Sequence, residues 1–148
     1  SYHKWAKYGT GDDSERYRAN IGTYYPIHAT GSGLAILSAS PRERVEAVVD
    51  ERGLAALTDH TITDREELFA ELDRTRERGY AVGDRYYAEG LRSVGRAVTA
   101  PDGTVVGALS VSGPTYRIDG PVLDREVPRA LAAVVDALEA ELDAASGA

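Results

Sequence analysis

At 148 residues the chain has single-domain length, enough to bury roughly 70% of its unfolded surface. Its 17 basic and 24 acidic side chains leave a net charge of −7, against a nucleic-acid surface, which needs clustered Lys and Arg. Without cysteine there is no disulfide framework, thiolate nucleophile or zinc finger, and no apolar run approaches the ~18 residues of a membrane span. Residues 1–4 do not open a signal peptide, so the chain reads as soluble and cytoplasmic. Lys4 and Lys7 are the only lysines, and this acidic, Ala-rich, Lys-poor surface suits the high-salt cytoplasm of a halophile.

Residues 1–8 alternate bulky and polar side chains and read as a strand with Trp5 pointing inward. A turn over 9–14 leads to a second alternating run, 16–21, with Tyr17, Ala19 and Ile21 on one face. The stretch from Pro26 to Leu37 then passes from extended chain into a helix, with Thr30 or Gly31 as N-cap and Leu34 and Leu37 at helical spacing. Ser40-Pro41-Arg42-Glu43 spells a capping box with proline at N1, opening a helix that Gly53 stops and that buries Val45, Val48 and Val49. A second box, Thr63-Asp64-Arg65-Glu66, opens a helix running to Gly79 with Leu68, Phe69 and Leu72 inward.

Residues 80–84 form the next strand, followed by the polar segment 85–90. A hairpin comes after it, with arms 91–99 and 105–112 around Pro101-Asp102-Gly103. Period two groups Leu91, Ser93, Gly95 and Ala97 on one face of the first arm, and Val106, Ala108, Ser110 and Ser112 on one face of the second. A helix starting within 120–123 runs to about residue 145, with the seam Leu123, Val127, Leu131, Val134, Leu138 and Leu142 and a kink at Pro128 if that residue lies past the first turn. Sequential strands with segregated helices predict an α+β fold, an antiparallel sheet flanked by helices.

No catalytic constellation emerges, and no cofactor or metal is expected. Thr30-Gly31-Ser32-Gly33 lacks the first glycine of G-x-S-x-G, and no lysine near it completes a P-loop. His3, His28 and His60 have no metal-ligand spacing. Two features suggest a binding site. The small residues at Gly31, Ser32 and Gly33 either leave the helix-start amides open to an anion or let the helix pack closely on a sheet. Ser110 and Ser112 either face solvent or, with Ser93 beside them, line a small polar pocket, since buried hydroxyls require partners.

Several blocks carry a resemblance. Residues 26–35, Leu57-Thr58 through Thr61-Ile62-Thr63-Asp64, then 78–82, 90–93 and 108–114 stand in the order and spacing of the C-terminal effector-binding domain of IclR-type transcriptional regulators. The resemblance implies a GAF-like fold that senses a small metabolite, often an organic acid. It implies contacts with the ligand from Gly31 and Ser32, from Ser110 and Ser112, and from Asp84, Leu91 and Ser93 around the hairpin's start. It further implies a homodimer or homotetramer, DNA binding only through a winged helix-turn-helix domain outside residues 1–148, and no membrane partner. The chain departs from the family at Leu34, where a lysine is usual, and at Ser93, where a cysteine is frequent. Asp84 stands alone in place of an acidic run, and the aromatic pair Tyr86-Tyr87 points to a different or larger effector. The expected function is therefore a non-enzymatic metabolite sensor of an IclR-like regulator, with a small-molecule enzyme or a pure oligomerisation module as the alternatives.

Overall fold

A computed structural model describes the backbone of residues 2–4 and 24–147 and the side chains of 25–147. The readings for Trp5, the turn over 9–14 and the strand over 16–21 lie outside the described residues. Strands β1 (Tyr2–Lys4) and β2 (Tyr24–Pro26) pair antiparallel, with Tyr2 opposite Pro26. Three helices follow, α1 (Gly31–Ser38), α2 (Arg42–Arg52) and α3 (Arg65–Arg78), and then strands β3 (Ala81–Asp84), β4 (Leu91–Thr99) and β5 (Val105–Pro114). The long helix α4 (Val127–Ser146) closes the order. β3, β4 and β5 form an antiparallel sheet in that spatial order, as the hairpin pattern requires, so the α+β class holds.

The sheet has two apolar faces. On one, Ala81, Ala97 and Ala108 meet α1, α2 and α3 through Leu34, Leu37, Val45, Leu68 and Leu72. On the other, Val94 packs with Ile118 and Leu131, joined by Leu109, Val122 and Val127. The small alanines on the first face let the helices approach closely. Leu34, fully buried at the centre, would cost about 3–5 kcal/mol if cut to alanine.

Helix ends follow the sequence reading at Thr30 and Gly79 and depart from it at Ser40 and Thr63. Thr30 is the N-cap of α1, its Oγ1 accepting the Gly33 amide at 3.1 Å. The box at Ser40 does not form: Ser40 Oγ donates to the Ile36 carbonyl, and Pro41 takes the cap position of α2 with no side-chain hydrogen bond. The last turn of α1 lies only a few residues upstream and claims that hydroxyl. At α3 the cap is Asp64, not Thr63, with the Asp64 carboxylate accepting the Glu67 amide at 3.0 Å. Gly79, at φ 89°, ends α3 in the left-handed conformation that favours glycine.

Pro128 does not lie past the first turn, so the condition for a kink is not met. It sits in the first turn of α4, and because it has no N–H the chain before it winds as a five-residue π-helical turn, Val122–Glu126, in which the Val127 amide reaches back to the Val122 carbonyl. The seam shifts by one position as well. Val135, not Val134, is buried with Leu131, and Val134 and Leu138 are 51% and 40% exposed. A β-bulge at Val98/Thr99 leaves Val106 outside the β4–β5 register, where it is exposed.

Candidate functional site

Register places most of the expected site residues on one face. Ser93 lies opposite Ser112, Gly95 opposite Ser110 and Leu91 opposite Pro114, so Leu91, Ser93, Ser110 and Ser112 share the face that meets α1. Gly83 of β3 lies opposite Ser93 on that same face.

The start of α1 is pressed against these strands and is not bare. The Gly31 amide donates to Ser93 Oγ at 2.9 Å, and both residues are buried. A Cβ built on Gly95 would lie 2.3 Å from the Gly31 carbonyl carbon and oxygen, and one on Gly83 would lie 2.6 Å from Ser93 Oγ. Close packing of helix on sheet is thus what these glycines accomplish, and Ser32, buried in the same turn, also has an interaction partner. Among the described residues one hydroxyl is left over. Ser112 Oγ is shielded from solvent and has no hydrogen-bond partner among them, a condition that costs about 1–3 kcal/mol for a buried polar group. It stands across the ladder from Ser93, next to the occupied helix-start amide.

The IclR C-terminal model, described as that of bacterial transcriptional regulators, matches residues 9–140. The chain belongs to the IclR family. Among IclR relatives, the HTH-type transcriptional repressor AllR of Salmonella typhi is 36% identical over 103 residues, 70% of this chain and 38% of AllR. AllR of Klebsiella pneumoniae is 37% identical over the same coverage. The chain therefore spans well under half the length of the AllR repressors it matches. The C-terminal domain of Escherichia coli KdgR superposes with a TM-score of 0.78 at 30% identity, over 83% of this chain and 74% of that one. The inducer-binding domain of Acinetobacter PobR, a double mutant in complex with 3-hydroxybenzoic acid, superposes with a TM-score of 0.75 at 28% identity, over 81% and 69%. These relatives are named as regulators, and the IclR family is one of transcriptional regulators and not of enzymes.

Asp84 is the expected site residue that the structure does not bring to the serines. It lies opposite Arg92, on the other face of the sheet, and its carboxylate accepts from Arg92 Nε at 2.8 Å and Arg85 Nε at 3.0 Å. Burial alone would raise its pKa, but the Arg85 and Arg92 guanidiniums outweigh that and hold it below the usual carboxylate range. Arg92 Nη1 continues to the Ile118 carbonyl at 2.8 Å, tying the start of β4 to the segment after β5. In β3–β4, side chains one residue apart point to opposite faces, which is why a carboxylate adjacent to the site in sequence misses it in space.

Thr58 and Thr61 were absent from the expected set. Thr58 Oγ1 donates to the Arg85 carbonyl at 2.7 Å and Thr61 Oγ1 to the Tyr86 carbonyl at 2.6 Å, while Thr61 Oγ1 accepts the Leu57 and Thr58 amides. This clasp holds the loop between β3 and β4, in which Arg85 has φ 62°, a left-handed conformation that costs a non-glycine residue about 1 kcal/mol or more. Tyr86 packs on the helical core, and burial with the nearby Glu71 carboxylate pushes its phenol up to about 12. Tyr87 meets the edge of Tyr25, ring centroids 5.2 Å apart. The pair of threonines three residues apart was the available signal for the clasp. Leu34, at the departure from the family's lysine, is wholly inside the core. Among the described residues no cluster of His, Asp and Glu could hold a metal, and no helix is long and apolar enough to cross a membrane.

Proposed function

We propose that the chain is the ligand-sensing domain of an IclR-type regulator, taking a small organic or hydroxyaromatic acid between the first turn of α1 and strands β4 and β5. Gly31, Ser32, Leu91, Ser93, Ser110 and Ser112 surround the ligand, and Asp84 supports the strand start from the opposite face through Arg92. The observation that carries this reading is the sequestered Ser112 hydroxyl, unpartnered among the described residues, beside the Gly31–Ser93 hydrogen bond. An oxygen-bearing ligand would satisfy Ser112 and could take over the Gly31 amide as Ser93 turns toward it. All of these donors are neutral, so recognition needs no salt bridge. The PobR domain of the same fold, solved with 3-hydroxybenzoic acid, supports the ligand class.

Calorimetry against hydroxybenzoates and small oxo- and hydroxy-acids tests the proposal. Ser112→Ala should weaken binding of the ligand so found by about five- to a hundred-fold, the loss of one buried hydrogen bond. The same change should leave the unliganded domain as stable as the parent or slightly more so, because it removes an orphaned hydroxyl. Unchanged affinity in Ser112→Ala would overturn the site.

We further infer that copies of the chain associate through the outer face of α4, where Val134 and Leu138 stand one turn apart and exposed. DNA contact belongs to a separate domain, consistent with the −7 charge of this one. Light scattering should give a mass above the monomer that Val134→Ser with Leu138→Ser lowers; a monomer in the parent would refute the interface. The second reading, an oligomerisation module with a vestigial pocket, draws on the Gly31 amide being occupied by the chain's own Ser93. Under that reading none of the acids would bind.

A further inference from the structure

A polar cleft of about 290 Å³ opens at the other end of α1 from the serines, where α1, α3, β4 and α4 come together. β3 pairs with β4 only as far as Ala81 opposite Gly95, so β4 beyond Gly95 lacks a β3 neighbour, and the cleft lies along that stretch. Two charged groups in it are only half used. Arg96 spends Nη1 on the Gly79 carbonyl at 2.9 Å, which caps the end of α3 and fixes the guanidinium plane. Its Nε and Nη2 meet no acceptor among the described residues. Glu139 accepts the Thr99 amide at 3.1 Å and the Thr99 hydroxyl at 2.6 Å, both on Oε2. Its Oε1 meets no donor among the described residues. Arg76, the remaining cation, is already committed to the Ser38 carbonyl and to Asp73.

Arg96 and Glu139 line the same cleft without pairing with each other; the Arg96 guanidinium is solvent-facing, and the Glu139 carboxylate is partly buried against Thr99, which strengthens its field relative to open water. A guanidinium edge with two N–H donors matches a carboxylate, and a free carboxylate oxygen matches an ammonium. Ala35 and Ala97 supply a short apolar wall that leaves room for a side chain of a few carbons. We propose that this cleft binds a small aliphatic α-amino acid as its zwitterion, the carboxylate on Arg96 and the ammonium on Glu139. The first turn of α1 meets the serines and its last residue, Ser38, borders this cleft, so both sites touch one rigid helix of eight residues, roughly 12 Å long.

The test is an NMR titration of the folded chain with L-alanine, with propionate and ethylamine as single-charge controls. L-Alanine should move the Ser38, Arg96 and Thr99 amides saturably, with half-saturation in the low millimolar range, while each control binds at least about ten-fold more weakly. Arg96→Gln and Glu139→Gln should each weaken L-alanine by about ten-fold. The second variant keeps an oxygen for Thr99 and so separates charge from packing. Absence of saturable shifts up to about 50 mM L-alanine, shifts confined to Ser93 and Ser112, or propionate binding as well as L-alanine would each overturn the assignment.

Discussion

Gly95→Ala probes the contact on which the serine site is built. The added Cβ would lie 2.3 Å from both the carbonyl carbon and the carbonyl oxygen of Gly31 and 2.7 Å from the Ser32 amide nitrogen. All three are backbone atoms, so no rotamer change relieves the clash. Ordinary contact lies near 3.5 Å, and the first turn of α1 must therefore retreat by roughly 1 Å. At that separation the Gly31–Ser93 hydrogen bond, now 2.9 Å, is lost, at about 1 kcal/mol. Overpacking of the surrounding core adds about 1–3 kcal/mol. The sum is about 2–4 kcal/mol, which for a domain of this size lowers Tm by roughly 6–12 °C. Gly107→Ala is the control: it lies in β5 with no described atom within 4 Å of its built Cβ, and it should change stability by less than about 1 kcal/mol. Urea unfolding monitored by circular dichroism measures both. If Gly95→Ala came within about 0.5 kcal/mol of the parent, the close approach of α1 to β4 would be refuted, together with the shielding of the serines that depends on it.

Thr61→Val keeps the shape of a buried side chain but strands the Leu57 and Thr58 amides and the Tyr86 carbonyl, so a loss of about 2–3 kcal/mol is expected. Hydrogen exchange should then quicken over residues 85–90, and an unchanged loop would show that the clasp holds nothing. His28 gives a pH dependence. Burial lowers its pKa below 6.5, opposed by the hydrogen bond to the Ala55 carbonyl at 2.8 Å, so the folded state holds it neutral with the proton on Nε2. The unfolded chain takes up the second proton, the one Nδ1 would carry, more readily. Its contribution is therefore complete above pH 6.5 and is lost as pH falls through the lower folded value. Denaturation midpoints should drop between neutral pH and about pH 5 in the parent and drop less in His28→Gln; equal slopes would remove His28 as the cause.

Local chemistry made much of the molecule legible in advance. Glycines at 53 and 79 stop helices because the chain leaves the right-handed region there, at φ 71° and 89°. The Pro101-Asp102-Gly103 turn sets β4 against β5, and period two then puts Ser93, Ser110 and Ser112 on one face. Both are consequences of short-range geometry, and the blocks that resemble IclR regulators ride on them. What the tertiary structure alone decided concerns distance between parts remote in sequence. Gly31 and Ser93 are 62 residues apart, and neither carries a mark saying that the serine's oxygen occupies the helix-start amide, leaving Ser112 without a partner among the described residues. Likewise, the threonines at 58 and 61 signal a clasp but do not name its partners, carbonyls 27 and 25 positions away. The exchange of Val134 for Val135 in the seam of α4 has the same origin: both positions are apolar and adjacent, and only the docking of α4 on β4 chooses between them. Periodicity assigns a residue to a face, whereas the depth at which one element presses on another is set by the shapes of both, and that depth decides which polar groups of this chain are spent and which are left for a ligand.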